Sequence, residues 1–205
     1  MTKRMSGPER REQLLGVARS VFAEKGYEAT TIEEIADRAK VTKPLVYQHF
    51  GGKEGIYAVV VDREVTELTT RLASAFEADS MRGVAEAAAA QFLEYIDERE
   101  DGFRILVRDK PAGVETGTFG GVISDVATRV ERLLRAEFKK RDYEARTAPL
   151  YARMLVGAVA MIGEWWIDER KPSREVVAAH AVNLMWNGLK DLDADPQPIR
   201  RLKAV

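Results

Sequence analysis

Along the 205-residue chain, apolar residues recur at three- and four-residue spacing almost throughout, and no segment keeps up the alternation of a half-buried strand. The pattern predicts an all-α protein of about nine helices. The first opens near Pro8, carries Leu14, Leu15, Ala18, Val21 and Phe22 on one stripe, and ends at Gly26, a residue suited to a left-handed cap. Thr31-x-x-Glu34 reads as a capping box that starts a short helix through Ile35 and Ala36 to about Lys40. Thr42 caps a third, ending near Phe50. After Gly51-Gly52, long patterns run from Lys53 to about Ala78 and from Met81 to Glu98, followed by a short "GFRILVRD" helix. Lys110 to Gly121 is rich in Gly, Pro and Thr and reads as a loop or a mobile helix start. Further helices cover Val122 to Lys140, Arg146 to Asp168 and Ser173 to Asp191, with a frayed tail beyond Asp193.

The stretch "VTKPLVYQHFGGKEGIYAVV" organises the N-terminal third. Two short helices joined by a tight turn, the second with an exposed polar face, form the helix-turn-helix arrangement, whose second helix enters the DNA major groove. Val46 and Phe50, four apart, face back toward Ile35, Ala36, Ala39 and Phe22. Thr42, Lys43, Pro44, Leu45, Tyr47, Gln48 and His49 are left pointing elsewhere. Leu45 suits a thymine methyl, and Lys43 and Gln48 can reach base edges or phosphates. Thr31, Tyr47, His49 and Lys53 suit phosphate oxygens, and a helix starting near Lys53 aims free backbone N–H groups the same way.

Composition narrows the alternatives. A content of 45% hydrophobic and 32% charged residues suits a globular chain with a real core. There is no cysteine and only two histidines, His49 and His180, so neither a disulfide framework nor a thiolate or all-histidine metal site is expected. No nucleotide-binding glycine fingerprint or nucleophile elbow is present, and Glu164 or His180 alone makes no active site; no catalytic residue, metal or cofactor is expected. The net charge is −1, but the first 57 residues hold 10 Lys+Arg against 8 Asp+Glu, and the remainder 22 against 25. The apolar runs "MLVGAVAMIG" and "AEAAAAQFL" look too short for a membrane span, and "MTKRMSGPERREQ" has no signal-peptide core, so a cytoplasmic protein without a membrane partner is expected.

Residues 8 to 62 resemble the DNA-binding domain of the tetracycline-repressor (TetR) family of transcriptional regulators. The resemblance rests on Phe22, Gly26-Tyr27, Thr31, Ile35-Ala36, Val41-Thr42, Tyr47, His49-Phe50 and Lys53-Glu54 at the family's spacing. It implies that Thr31, Tyr47, His49 and Lys53 contact phosphate while Lys43, Pro44 and Leu45 approach bases, with Gln48 at a variable position. It also implies a homodimer on a palindromic double-stranded operator, most simply a repressor, with a small-molecule pocket in each body. The organisation expected is a helix-turn-helix domain over 8–55, a ligand-binding and dimerisation domain over 56–193, and a tail over 194–205. "GFRILVRD", "ARMLVGAVAMIGEWWIDERKP" and "WNGL" are similar to actinobacterial family members responding to fatty acids or acyl-CoA, which implies an apolar chain with an anionic head.

For that pocket the sequence offers Phe92, Tyr95, Ile96, Phe103, Leu106, Val107, Phe119, Val122, Met154, Met161 and Trp165, although an apolar stripe is core by default. Arg104 and Arg108, four apart, either meet an anionic head or pair with Glu98, Glu100 and Asp101. The run Arg129, Arg132, Arg135 and Lys139-Lys140-Arg141 reads as a solvated face. Leu155, Val159, Ile162, Trp166, Val182, Asn183 and Trp186 are candidates for a dimer interface, beside the small Gly157, Ala158, Ala160 and Gly163 that allow close helix approach. The long helix from Lys53 would carry the signal between pocket and DNA. A DNA-binding dimer that takes no ligand and acts through protein partners is the competing expectation.

Overall fold

The computed structural model describes residues 5–108, 117–193 and Pro196, all helical apart from short turns, with no strand among them. The helices are α1 (Gly7–Ala29), α2 (Ile32–Arg38), α3 (Lys43–Phe50), α4 (Lys53–Ala75), α5 (Met81–Glu98), α6 (Glu100–Val107), α7 (Phe119–Lys140), α8 (Ala148–Glu169) and α9 (Arg174–Lys190), with a 3-10 turn at Ala145–Thr147. Most of the expected loop from Lys110 and the tail beyond Asp193 lie outside the described residues; Phe119 to Gly121 already belong to α7, whose first turn Thr118 caps by accepting from the Gly121 N–H at 3.0 Å.

The N-terminal unit owes its shape to caps and turns. Ser6 and Glu9 form a full capping box on α1. At Gly26, φ is +79°, so α1 breaks there and resumes for one turn to Ala29 instead of ending. Thr31 accepts from the Glu34 N–H, but the Glu34 carboxylate turns to Lys25 and Arg38, which leaves half of the expected box. The turn between α2 and α3 is closed by Val41 N–H to the Ala36 carbonyl at 2.9 Å, with Lys40 left-handed. Thr42 precedes α3 without a side-chain cap bond, so the cap predicted for it is absent, and the residue is exposed.

One buried apolar cluster extends from Leu14 in α1 to Val177 in α9, so the N-terminal unit and the body share a core. α4 is its spine: it packs on α1, α5, α6 and α7. The face of α4 that is buried under α1, α5 and α6 carries a carboxylate, Glu64, only 2% exposed. Arg99 clamps it with Nε at 2.9 Å and Nη2 at 2.6 Å, Tyr95 donates its hydroxyl at 3.1 Å, and Arg19 of α1 approaches at 3.4 Å. Such a charge survives burial because its oxygens are saturated by cationic and neutral donors. Burial beside this carboxylate pushes the Tyr95 phenol well above its ordinary pKa.

The segment Ala145–Glu169 is, by length and composition, apolar enough to cross a membrane, which corrects the expectation that no run approaches a span. α8 packs on α7 and α5 through one face; at Gly163 an added Cβ would lie 2.4 Å from the Phe92 ring, so that glycine serves contact within the chain.

A Cβ at Gly102 would lie 2.2 Å from Glu64 Oε2. Gly102→Ala is therefore expected to lower stability by about 1–3 kcal/mol in denaturant titration, and an unchanged midpoint would show that the carboxylate is not fixed there.

Candidate nucleic-acid interface and effector cavity

α3 is anchored by Val46, fully buried, and by half-buried Phe50, whose ring lies 5.0 Å from the Arg11 guanidinium. Its outer surface presents Thr42, Lys43, Pro44, Tyr47 and Gln48, all exposed, with Leu45 and His49 half-buried at its margins. Leu45 thus has more packing than its sequence position suggested. Thr31 is exposed at the start of α2 beside this surface. Gly51 is left-handed (φ +74°) and Gly52 has φ +143°, both disfavoured for other residues, and an added Cβ at Gly55 would lie 1.9 Å from the Phe50 carbonyl oxygen. Three glycines therefore fix how closely α4 follows α3, and leave the first N–H groups of α4 without a side-chain cap.

Two of the cations are already engaged. Lys43 forms an ion pair with Glu33 of α2, which holds the Glu33 carboxyl below its usual range. Lys53 donates to the carbonyls of Tyr27 and Glu28 at 3.0 and 3.3 Å and lies over the Tyr27 ring at 4.3 Å. Carbonyls at a helix end attract a cation, so in this state the Lys53 ammonium ties α4 to α1 instead of projecting outward.

In the body, a cavity of about 110 Å³ lies among α4, α5, α7, α8 and α9. Its walls include Leu72 of α4 and Phe76 at its C-cap, Ala89 and Phe92 of α5, Val126 and Leu134 of α7, Val156 of α8 and Met185 of α9. Every lining side chain is apolar, the Trp186 indole N–H being the one polar side-chain atom.

Of the residues expected to line a pocket, Phe92 lines this cavity, Val122 borders the space between α4 and α7, and Leu106, Val107, Arg108 and Phe119 border a hollow beside Tyr57 and Val61. Tyr95, Ile96, Phe103, Leu106, Phe119 and Val122 are buried as core, and Phe92, Phe103 and Phe119 stack or meet edge-on with ring centroids 5.4–6.2 Å apart. Val107 is half-buried and packs on the same core. Met154, Met161 and Trp165 stand on the outer face of α8, with Met161 63% exposed. Arg104 pairs with Glu100 at 3.0 Å and Asp168 at 2.9 Å, and Arg108 donates to the Phe22 carbonyl at 2.9 Å beside the break in α1. Neither arginine borders the cavity.

Several of the expected interface residues have contacts within the chain. Leu155, Val159 and Trp186 line the cavity. Trp166, 3% exposed, is core and donates its indole N–H to the Pro172 carbonyl at 2.8 Å; Val182 is buried and Ile162 half-buried against the core. Asn183 is exposed and accepts from the Asn187 amide. The open apolar face consists of Leu150, Met154, Met161 and Trp165 on α8, with Leu184, 74% exposed, and Val176 on α9. A 3.6-residue period identifies a helix's apolar stripes but not which one faces its own core.

Residues 14–60 match the family model described as bacterial regulatory proteins, tetR family, and residues 81–188 match that for the tetracyclin repressor-like C-terminal domain. The chain belongs to the TetR family. Among its TetR-family relatives, the HTH-type transcriptional activator FasR of Mycolicibacterium smegmatis is 31% identical over 192 residues, covering 91% of this chain and 85% of that protein. The HTH-type transcriptional repressor KstR2 of Rhodococcus jostii is 45% identical over 47 residues, 23% of either chain. A TetR-like transcriptional regulator from Rhodococcus sp. RHA1 shares the fold with a TM-score of 0.73 at 23% identity, over 91% of this chain and 99% of its own. The protein is thus a TetR-family transcriptional regulator with a helix-turn-helix DNA-binding domain, and its relatives are regulators, not enzymes.

Because the Glu33 carboxylate both holds Lys43 and repels phosphate, Glu33→Gln is expected to tighten binding to DNA of any sequence several-fold at low salt and to steepen the salt dependence. Weaker binding in a fluorescence-anisotropy titration would mean that the pair organises the interface instead of masking it.

Proposed function

We propose that this protein is a homodimeric, ligand-responsive regulator that binds a palindromic operator and whose DNA affinity is set by an apolar effector in the body. The observation that carries this reading is the course of α4: Leu72 and Phe76, near its C-terminal end, wall the apolar cavity, while its N-terminus adjoins α3 through the glycine turn.

On DNA, α3 lies in the major groove, with Lys43, Pro44 and Leu45 toward the bases and Gln48 beside them. Thr31, Thr42, Tyr47, His49 and the uncapped N–H groups of α4 hold phosphates. The Lys53 side chain joins them only by leaving the carbonyls of Tyr27 and Glu28.

The open apolar face on α8 and α9 supports the dimer. Only 28% of the most apolar window of α8 is buried within one chain, and a second copy would cover Met161, Trp165 and Leu184 together. A two-fold axis there gives two recognition helices, which reach successive major grooves when about 34 Å apart.

An effector that favours one disposition of the cavity walls changes that spacing through α4. Glu64 sits midway along the helix and is gripped from α5 by Tyr95 and Arg99, so α5 cannot shift against α4 without disturbing a buried charge. A dimer that covers a promoter represses and one placed upstream to contact polymerase activates; repression is the simpler output, and transcription in vitro from a bound promoter decides between them. Bacterial DNA is cytoplasmic, and the regulator works there.

Genomic DNA captured by the protein should contain a shared palindrome; recovery of random fragments overturns the operator. On that operator, Tyr47→Ala should weaken specific and random DNA alike, whereas Leu45 substitutions should re-rank sequences by about 1–3 kcal/mol; uniform effects from both would refute the division of roles. Met161→Glu with Leu184→Glu should shift the protein to monomer in sedimentation, and an undisturbed dimer would place the interface elsewhere.

A further inference from the structure

The cavity walls offer a ligand almost no polar partner, so any polar group on a ligand has to rest outside them. Two chambers adjoin it. One, of about 40 Å³, shares Met81, Leu134, Trp186 and Leu189 with the cavity and holds Arg141, but that guanidinium is paired with Glu137 at 2.8 Å. The other, of about 240 Å³ between α4 and α7, shares Leu72, Phe76 and Val126 with the cavity. It is lined by Arg129 and Arg132, with Thr69, Thr128 and Asp125 also on its walls. The Arg129 guanidinium lies 5.6 Å over the ring of Phe76, which lines both chamber and cavity. Neither arginine forms an ion pair among the described residues; Arg132 reaches only the Thr128 carbonyl, at 3.5 Å. The sequence reading of these arginines as part of a solvated face holds for exposed Arg132, and both also border the hollow beside the cavity.

We infer that the chamber between α4 and α7 is an anion subsite, in which Arg129 and Arg132 hold the carboxylate or phosphate head of a ligand whose apolar chain passes Phe76 into the cavity. The inference rests on the effector reading above and narrows it to amphiphilic anions. Phe76 and the cavity take the chain. The two cations, against the single carboxylate of Asp125, take the head, with the Thr69 hydroxyl able to donate; the Thr128 hydroxyl already donates to the Ser124 carbonyl at 2.9 Å. This charge comes from α7, not from the Arg104 and Arg108 pair, whose partners are internal.

Calorimetric titration of the full-length protein with decanoate, decyl phosphate and decanol tests it, using the wild type, Arg129→Gln/Arg132→Gln and Arg141→Gln. Arg132 is exposed and Arg129 half-buried, and the melting temperature of the double variant reports its folding directly. Expected is tighter binding of one or both anions than of decanol, weakened about tenfold in the double variant and unchanged in Arg141→Gln, with decanol unchanged in all three. The anion that loses more identifies the head as carboxylate or phosphate. Equal binding of all three ligands, unaffected by the double variant, overturns the anion subsite and leaves the apolar cavity standing. A loss of affinity in Arg141→Gln alone moves the head to the other chamber and likewise overturns it. If none of the three binds the wild type, both the subsite and the effector reading fall.

Discussion

A single buried carboxylate ties the parts of this molecule together. Glu64 lies at mid-length on the helix that belongs to both halves, and its oxygens are claimed by α5 through Tyr95 and Arg99 and by α1 through Arg19. Gly102 of α6 closes over it with no side chain because there is no room for one. Burying a charge is costly unless its geometry is well satisfied, so this arrangement adds less to stability than to specificity: it fixes one register of four helices and penalises others. The satisfaction is incomplete on one side. Arg19 Nε is buried without a hydrogen-bond partner, and its Nη1 is the longest contact to the carboxylate. The weakest link in the hub is thus the one that reaches the helix opening the DNA-binding domain.

That geometry gives α4 its double role. One end follows the recognition helix through a turn that only glycine permits, and the other walls an apolar cavity. The hub lies between them, so under the proposed function a displacement of the cavity walls would reach the DNA face by way of packed helices. Several contacts of α1 reinforce the same path. Arg108 of α6 holds the Phe22 carbonyl, Lys53 holds the carbonyls at the end of α1, and Arg63 grips Glu12 from α4.

How much of this was legible in the sequence depends on how local the cause is. Caps, the left-handed Gly51, the position of Pro44 and the pairing of Val46 with Phe50 are determined within a few residues, and the N-terminal elements follow the pattern closely. The extra turn after Gly26, the half-formed capping box at Thr31 and the missing Thr42 cap are the departures there. In the body, periodicity finds the helices but cannot assign their faces. Trp165 and Trp166 are adjacent, yet one is open and the other carries a hydrogen bond in the core; Leu155 and Trp186 line the cavity. Glu64 was invisible because a lone glutamate on a helix looks solvated. The pair Tyr95 and Arg99, four apart, and a glycine inside the short α6 were the only signals toward it. The position of Arg129 and Arg132 beside the cavity was not legible either, since an arginine run on a helix shows only a charged face.

The account stands or falls on whether occupancy of the cavity is transmitted through that hub. The direct measurement is operator affinity with and without saturating decanoate, for the wild type and for Glu64→Gln. The account predicts a shift of roughly 5- to 150-fold in the wild type, collapsing toward none in the variant, which still binds both decanoate and DNA. The same shift in both proteins, or none in a wild type that has bound decanoate, would contradict it.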